Sequence, residues 1–182
     1  MGQESAKAVT FGKNGGMATS DKVEHTPDGR YIVAHGRKWR ATDPGIPKAL
    51  ATELVAELMT ARRAVCTDPA SARARVQDAK AALGERGEFW WDQPSQEGTR
   101  SRLAATIRTL LRHRAADSTI CPSDAARVVG GHHWRELMDS AREVVIALHR
   151  DGTLHVSQHG QNIDPASATG PIRLGRGPTF DG

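Results

Sequence analysis

Residues 130–152 read GGHHWRELMDSAREVVIALHRDG, and this stretch decides the fold of the second half of the chain. Trp134, Leu137, Met138, Ala141, Val144, Val145 and Leu148 recur mostly in threes and fours, the stripe of an amphipathic helix. Two glycines precede it and Asp151-Gly152 stops it, so the pattern predicts one long helix over about residues 132–150. The stripe places Trp134 in the core, as its first member. The outward positions are Arg135, Glu136, Asp139, Ser140, Arg142, Glu143, Ile146 and Arg150. Whether that face reads DNA or only meets water depends on what flanks it.

Upstream, residues 99–113 carry an inner stripe of Leu103, Ile107, Leu110 and Leu111, which predicts a helix. Ser118-Thr119-Ile120 reads as a short strand. Pro122 stands at a first helical position with Ser123 and Asp124 in the first turn, so a short helix over residues 122–129 follows. Downstream, Leu154 to Gln158 alternates as a strand, His159 to Gly170 is a polar loop, and residues 171–174 return as the partner strand. Helix, short strand, helix, turn, long helix, strand, loop, strand is the order of a winged helix-turn-helix.

In such a domain the base-reading side chains sit near the start of the third helix, here His132, His133 and Arg135, with Arg142 further along. The wing offers Gln158, His159, Gln161 and Asn162 as neutral donors and acceptors, and Arg173 and Arg176 as partners for phosphate. Glu136, Asp139 and Glu143 oppose DNA on the same face. A solvated face laced by pairs such as Asp139 with Arg142 explains it equally well.

The first half reads differently. Tyr31 to Ala34, a His35-Gly36 turn and Arg37 to Arg40 form a hairpin. Residues 48–65 keep Leu50, Leu54, Leu58 and Val65 on one helical stripe, and residues 70–83 form an Ala-rich second helix ended by Gly84. Trp90 and Trp91 close this small module. Large side chains are needed to close so small a core, and a partner-binding surface built on Trp39, Trp90 and Trp91 is the alternative. Residues 93–98, QPSQEG, hold no apolar residue and read as a linker between halves that fold separately. The division is then a disordered arm over 1–28, the hairpin-plus-two-helix module over 29–92, the linker, the winged helix over 99–175 and a patternless tail over 176–182. Met17 is a candidate internal start. The fold class is mainly α with small β.

The formal net charge is +4, split almost evenly along the chain: four basic and four acidic groups over 1–30, ten and eight over 31–92, eleven and nine over 93–182. Any nucleic-acid footprint must therefore come from local clustering. Mean hydropathy is -0.51, and no run approaches the roughly 18 apolar residues of a membrane span. The first residues lack the apolar stretch of a signal peptide, which predicts a cytoplasmic protein with no membrane partner. Cys66 and Cys121 stand in unrelated contexts and read as ordinary thiols. Among the eight histidines, His155 and His159 share a strand face without a third ligand, so no metal or other cofactor is expected. The glycines of FGKNGG, Gly12, Gly15 and Gly16, lack the strand and helix of a phosphate loop, and no catalytic motif occurs elsewhere. The chain reads as a binding protein, not an enzyme.

Residues 101–174 carry ICPSDAARVVGG, HWRELM, LHRDGTLHVSQHG and IDPASATGPIRL. On these motifs the second half resembles a bacterial family of unknown function, numbered thirty-two fifty-three, which implies a winged-helix-like fold and no catalytic residue. The first half, through DGRYIVAHGRKWRATDPGIP, ELMTARRAV, AKAALGERGE and the Trp pair, resembles short bacterial proteins automatically named Tol biopolymer transporter. The residues together predict a regulatory or accessory protein that binds double-stranded DNA. An adaptor that docks a protein partner without touching DNA is the alternative.

Overall fold

The computed structural model describes residues 24–180. The suggested start at Met17, the FGKNGG glycines and most of the expected arm lie outside the described residues. The architecture is mainly α with two small antiparallel sheets.

The first sheet comprises β1 (Glu24–His25), β2 (Tyr31–Ala34) and β3 (Arg37–Arg40). His35 and Gly36 make the β2–β3 turn with φ of 50° and 70°, the left-handed pair that a two-residue hairpin requires. Glu24 and His25, expected within the arm, pair with Val33 and Ile32 as an edge strand. Two residues are too few for alternation to show. Arg40 fastens the hairpin to the loop after the second helix by donating to the carbonyls of Gly84, Gly87 and Glu88. Trp90 Nε1 donates to the Ala41 carbonyl at 3.0 Å.

Helix α1 (Lys48–Ala64) and helix α2 (Pro69–Ala82) follow as expected, α2 starting at a proline behind the Asp68 cap. Helix α3 (Gln96–His113) begins three residues before the expected start at residue 99. Ser95 Oγ accepts from the Gly98 amide, and the Glu88 carboxylate accepts from both the amide and the hydroxyl of Ser95. Residues 96–98, expected in the linker, are thus the first turn of a capped helix. A polar first turn carries no period to read.

Helix α4 (Pro122–Gly130) is followed by a 3-10 segment (Gly131–Leu137) and helix α5 (Met138–Arg150). The long helix expected from about residue 132 is therefore two objects, and Trp134 precedes the α-helical part. A 3-10 turn stacks side chains three apart, so Trp134 and Leu137 both turn toward the core while the spacing in sequence still looks helical. Gly131 takes φ 51°, and a Cβ there would stand 3.1 Å from the Gly45 carbonyl oxygen, so the turn between α4 and α5 is pressed against the first half of the chain.

The second sheet holds β4 (Leu154–Gln158), β5 (Gln161–Asn162) and β6 (Arg173–Arg176) in the order β5-β4-β6. Ile120 and Leu174 exchange two backbone bonds of 2.9 Å, adding a single-residue bridge beyond β6 where a short strand was expected. The return strand lies two residues later than residues 171–174. The chain after Gly175, expected to lack pattern, is ordered as far as residue 180: Gly177 donates to the Thr153 carbonyl and Phe180 is 6% exposed. One aromatic after a polar run gives no period, so only packing reveals it.

One buried cluster runs through both halves, from Leu50, Leu54 and Leu83 through Leu103, Ile107 and Leu110 to Val145 and Leu174. Helix α3 lies at its centre and packs on α1, α2, α4 and α5. Around this core, Arg102 pairs with Asp43 at 2.8 Å, Arg108 and Arg112 with Asp78 at 2.8 and 2.6 Å, and Arg114 with Glu53 at 2.8 Å. Each of these pairs joins α3 or its end to the first half.

Candidate nucleic-acid interface

The side chains expected to meet DNA fall into two groups. His132, His133 and Arg135 are exposed on the 3-10 segment. Trp134, half-buried between them, has the Arg135 guanidinium 4.5 Å from its ring centre and that of Arg127 at 4.8 Å. Arg127 is exposed on α4 and was missed from sequence, although it is the single basic residue of that helix. The two cations reach one ring because the tight turn folds α4 back beside the 3-10 segment. A Cβ on Gly130 would stand 2.8 Å from Leu137 Cδ1, which is how close the two segments come. His133 Nδ1 lies 3.1 Å from Glu136 Oε1, an exposed pairing that tethers the ring beside an acid.

The second group, except His159, bonds to the protein itself, with Arg173 still exposed and Arg142, Gln158 and Arg176 half-buried. Arg142 donates to the carbonyls of Ala168 and Gly170, at 3.5 and 2.7 Å, and so holds the loop before β6. Gln158 Nε2 donates to the carbonyls of Thr169 and Pro171 and closes the same loop from the other side. Arg173 donates to the hydroxyl and carbonyl of Thr119. Arg176 donates to the carbonyls of Leu111, Arg112 and Arg114, the acceptors that the end of α3 leaves without helical partners. His159, with φ 51°, makes the β4–β5 turn with Gly160 and is exposed there. Of the eight side chains expected at DNA, the structure gathers His132, His133 and Arg135 at one tip, leaves His159 on another, and binds the remaining four to the protein's own backbone.

Charge follows the same division. Residues 122–150 hold Arg127, Arg135, Arg142 and Arg150 against Asp124, Glu136, Asp139 and Glu143, a balance of zero. Glu143 pairs with Arg100 of α3 at 2.6 Å, and Asp139 stands in the first turn of α5. No basic surface runs along α5, and the local excess of cations is confined to the tip around Trp134. Among the described residues no group of three or more His, Cys, Asp or Glu could hold a metal ion, and His155 Nε2 lies 2.5 Å from Asn162 Oδ1. No helix among them is long and apolar enough to cross a membrane.

The unit that carries this tip, from α3 to the end of β6, is a recurring one. Residues 100–177 match the family model of a protein of unknown function (DUF3253). The DUF3253 stretch starts inside α3 and ends one residue past β6, so it contains α4, the 3-10 segment, α5 and the whole second sheet. It agrees with the resemblance drawn from the motifs of the second half. Nothing comparable supports the resemblance of the first half to Tol-named proteins. No curated protein matches the chain.

Proposed function

We propose that residues 96–176 form a winged helix that meets duplex DNA through the tip of its helix-turn-helix, gripping backbone phosphates without reading bases along α5. The winged-helix reading is supported by the element order and by a sheet in which Ile120, β6, β4 and β5 lie side by side. The observation that carries the DNA reading is the pair of guanidiniums of Arg127 and Arg135 standing on Trp134 beside exposed His132 and His133. Bonds to phosphate position a protein on DNA, whereas bonds to bases along a groove-filling helix specify sequence. Helix α5 offers Asp139 and Glu143 where base-reading donors would stand, and its Arg142 holds the wing loop. Binding is therefore weak, salt-sensitive and indifferent to sequence, as suits a cytoplasmic accessory protein with no catalytic step.

Fluorescence anisotropy with a random duplex at two salt concentrations tests this. Removing one phosphate-binding cation lowers the salt slope by about 0.9, so the Arg127→Ala/Arg135→Ala double variant should bind all duplexes more weakly, with a slope smaller by roughly two. Arg173→Ala should bind as the wild type does. No binding at low salt, or an unchanged slope in the double variant, would overturn the proposal. The charge balance of residues 122–150 favours a second reading, a module that docks a protein partner, and absence of DNA binding with the fold intact would leave that one standing.

A further inference from the structure

Trp39 is 46% exposed, the most open of the large apolar side chains among the described residues. The hairpin does not need it for closure. Trp90 donates to the Ala41 carbonyl and Trp91 packs edge-on against Tyr31, and these two rings fasten the first sheet to the loop after α2. Trp39 stands outside the buried cluster, and its indole N–H has no hydrogen-bond partner among the described residues. A single exposed ring is ordinary on a protein surface, so its surroundings decide what it can do.

Those surroundings are positive. Lys80 of α2 stands over the ring, 5.7 Å from its centre. Arg37, two residues back on β3, shares the sheet face of Trp39, whereas Glu24 and Lys38, which flank Val33, belong to the opposite face. Along α2, Arg73 and Gln77 precede Lys80 by seven and three residues and lie on its side of the helix. Gln77 in turn accepts from Arg86 of the following loop. Four cations, Arg37, Arg73, Lys80 and Arg86, thus stand against Glu85, which takes Lys80 at 3.4 Å. Arg37 and Arg73 bond to no group among the described residues, and Arg86 bonds only to the neutral Gln77. All three arginines are exposed.

We propose that this face binds a single strand of nucleic acid, with one base stacked on Trp39 and the backbone running between Arg37 and the arginines of α2 and its following loop. An exposed ring set among cations suits an unpaired base, because every base has a flat face and every link a phosphate, whatever the sequence. A duplex keeps its bases stacked on one another, and an acidic peptide would meet the arginines but leave the indole in water. From Arg73 to Lys80 is about 10 Å along the helix, which matches about three phosphates at the spacing of a stacked strand.

The test adds a single-stranded oligothymidylate to the full chain at low salt. Saturable quenching of tryptophan fluorescence is expected. Trp39→Ala, followed by anisotropy of a labelled oligomer, should bind at least about fivefold more weakly, the lower end of what one stacked base supplies. Trp39→Phe keeps a ring and should recover most of the affinity. If Trp39→Ala fails to fold, the Arg37→Ala/Arg73→Ala variant carries the test, since losing two phosphate contacts lowers the single-strand salt slope by about 1.4. No saturable binding, wild-type affinity in Trp39→Ala, an unchanged slope, or polyglutamate bound as tightly as the oligomer would overturn the proposal. The Arg127→Ala/Arg135→Ala variant should bind the single strand as the wild type does, so this face and the helix-turn-helix tip stand or fall separately. Loss of single-strand binding in that variant would assign the strand to the tip instead.

Discussion

At the scale of single residues, Trp134 shows how a side chain can satisfy an apolar pattern without being wholly core. It packs against the buried cluster and also has two guanidiniums 4.8 and 4.5 Å from its ring centre. A fully buried Trp replaced by Ala costs about 3–5 kcal/mol. Half-buried Trp134 should cost less, about 1–3 kcal/mol by the same scale, and the Trp134→Ala protein should fold with a lowered urea midpoint. On the proposed DNA reading, duplex binding should weaken as well, since Arg127 and Arg135 lose the ring beside them. A fully wild-type midpoint would show that Trp134 contributes nothing to the core. A midpoint drop as large as that of a buried Trp would remove it from the tip.

Among the elements, the start of α3 depends on a carboxylate outside the helix. The Glu88 carboxyl is held below its ordinary value by hydrogen bonds from the Ser95 side chain and then from the Ser95 amide. A depressed carboxyl contributes stability that is present above its unfolded pKa and is lost as the pH falls through the folded value. Amide exchange in the first turn of α3 should therefore speed up as the pH drops below the ordinary carboxylate range, after correction for intrinsic exchange. The Glu88→Gln variant should show the faster exchange already at neutral pH and should not respond to acid at this site. Equal protection in variant and wild type would mean that Ser95 alone caps the helix.

Taken as a whole molecule, the chain is organised around α3, which shares its buried stripe with α1 and α2 on one side and α4 and α5 on the other. Asp43, Glu53 and Asp78 of the first half all pair with arginines of α3 or its end. Cutting the chain at residues 93–98 would expose Leu54, Leu83, Leu103 and Ile107 together. We expect one cooperative urea transition, seen alike by far-ultraviolet circular dichroism and by the fluorescence of a Trp134→Phe variant, whose remaining tryptophans all lie in the first half. Two separated transitions would show that the halves are independent after all.

The sequence by itself determined α1, α2 and α4, the β2–β3 hairpin and β4, because each carries its own local signal. Leu50, Leu54 and Leu58 recur at the helical period, Pro69 and Pro122 mark first turns, and a His-Gly pair makes a tight turn. The exposure of His132, His133 and Arg135 was legible because they fall in the polar run around the Gly130-Gly131 break. Tertiary structure alone decided the rest. Whether Arg142, Arg173 and Arg176 face solvent or a carbonyl depends on partners 26 to 65 residues away, and nothing local distinguishes the two. Arg127 joins Trp134 only because a turn at Gly130 and Gly131 brings α4 beside the 3-10 segment. The polar stretch at 93–98 resembles a linker because helix caps and linkers use the same residues, and it is the packing of α3 against both halves that makes it the start of the central helix.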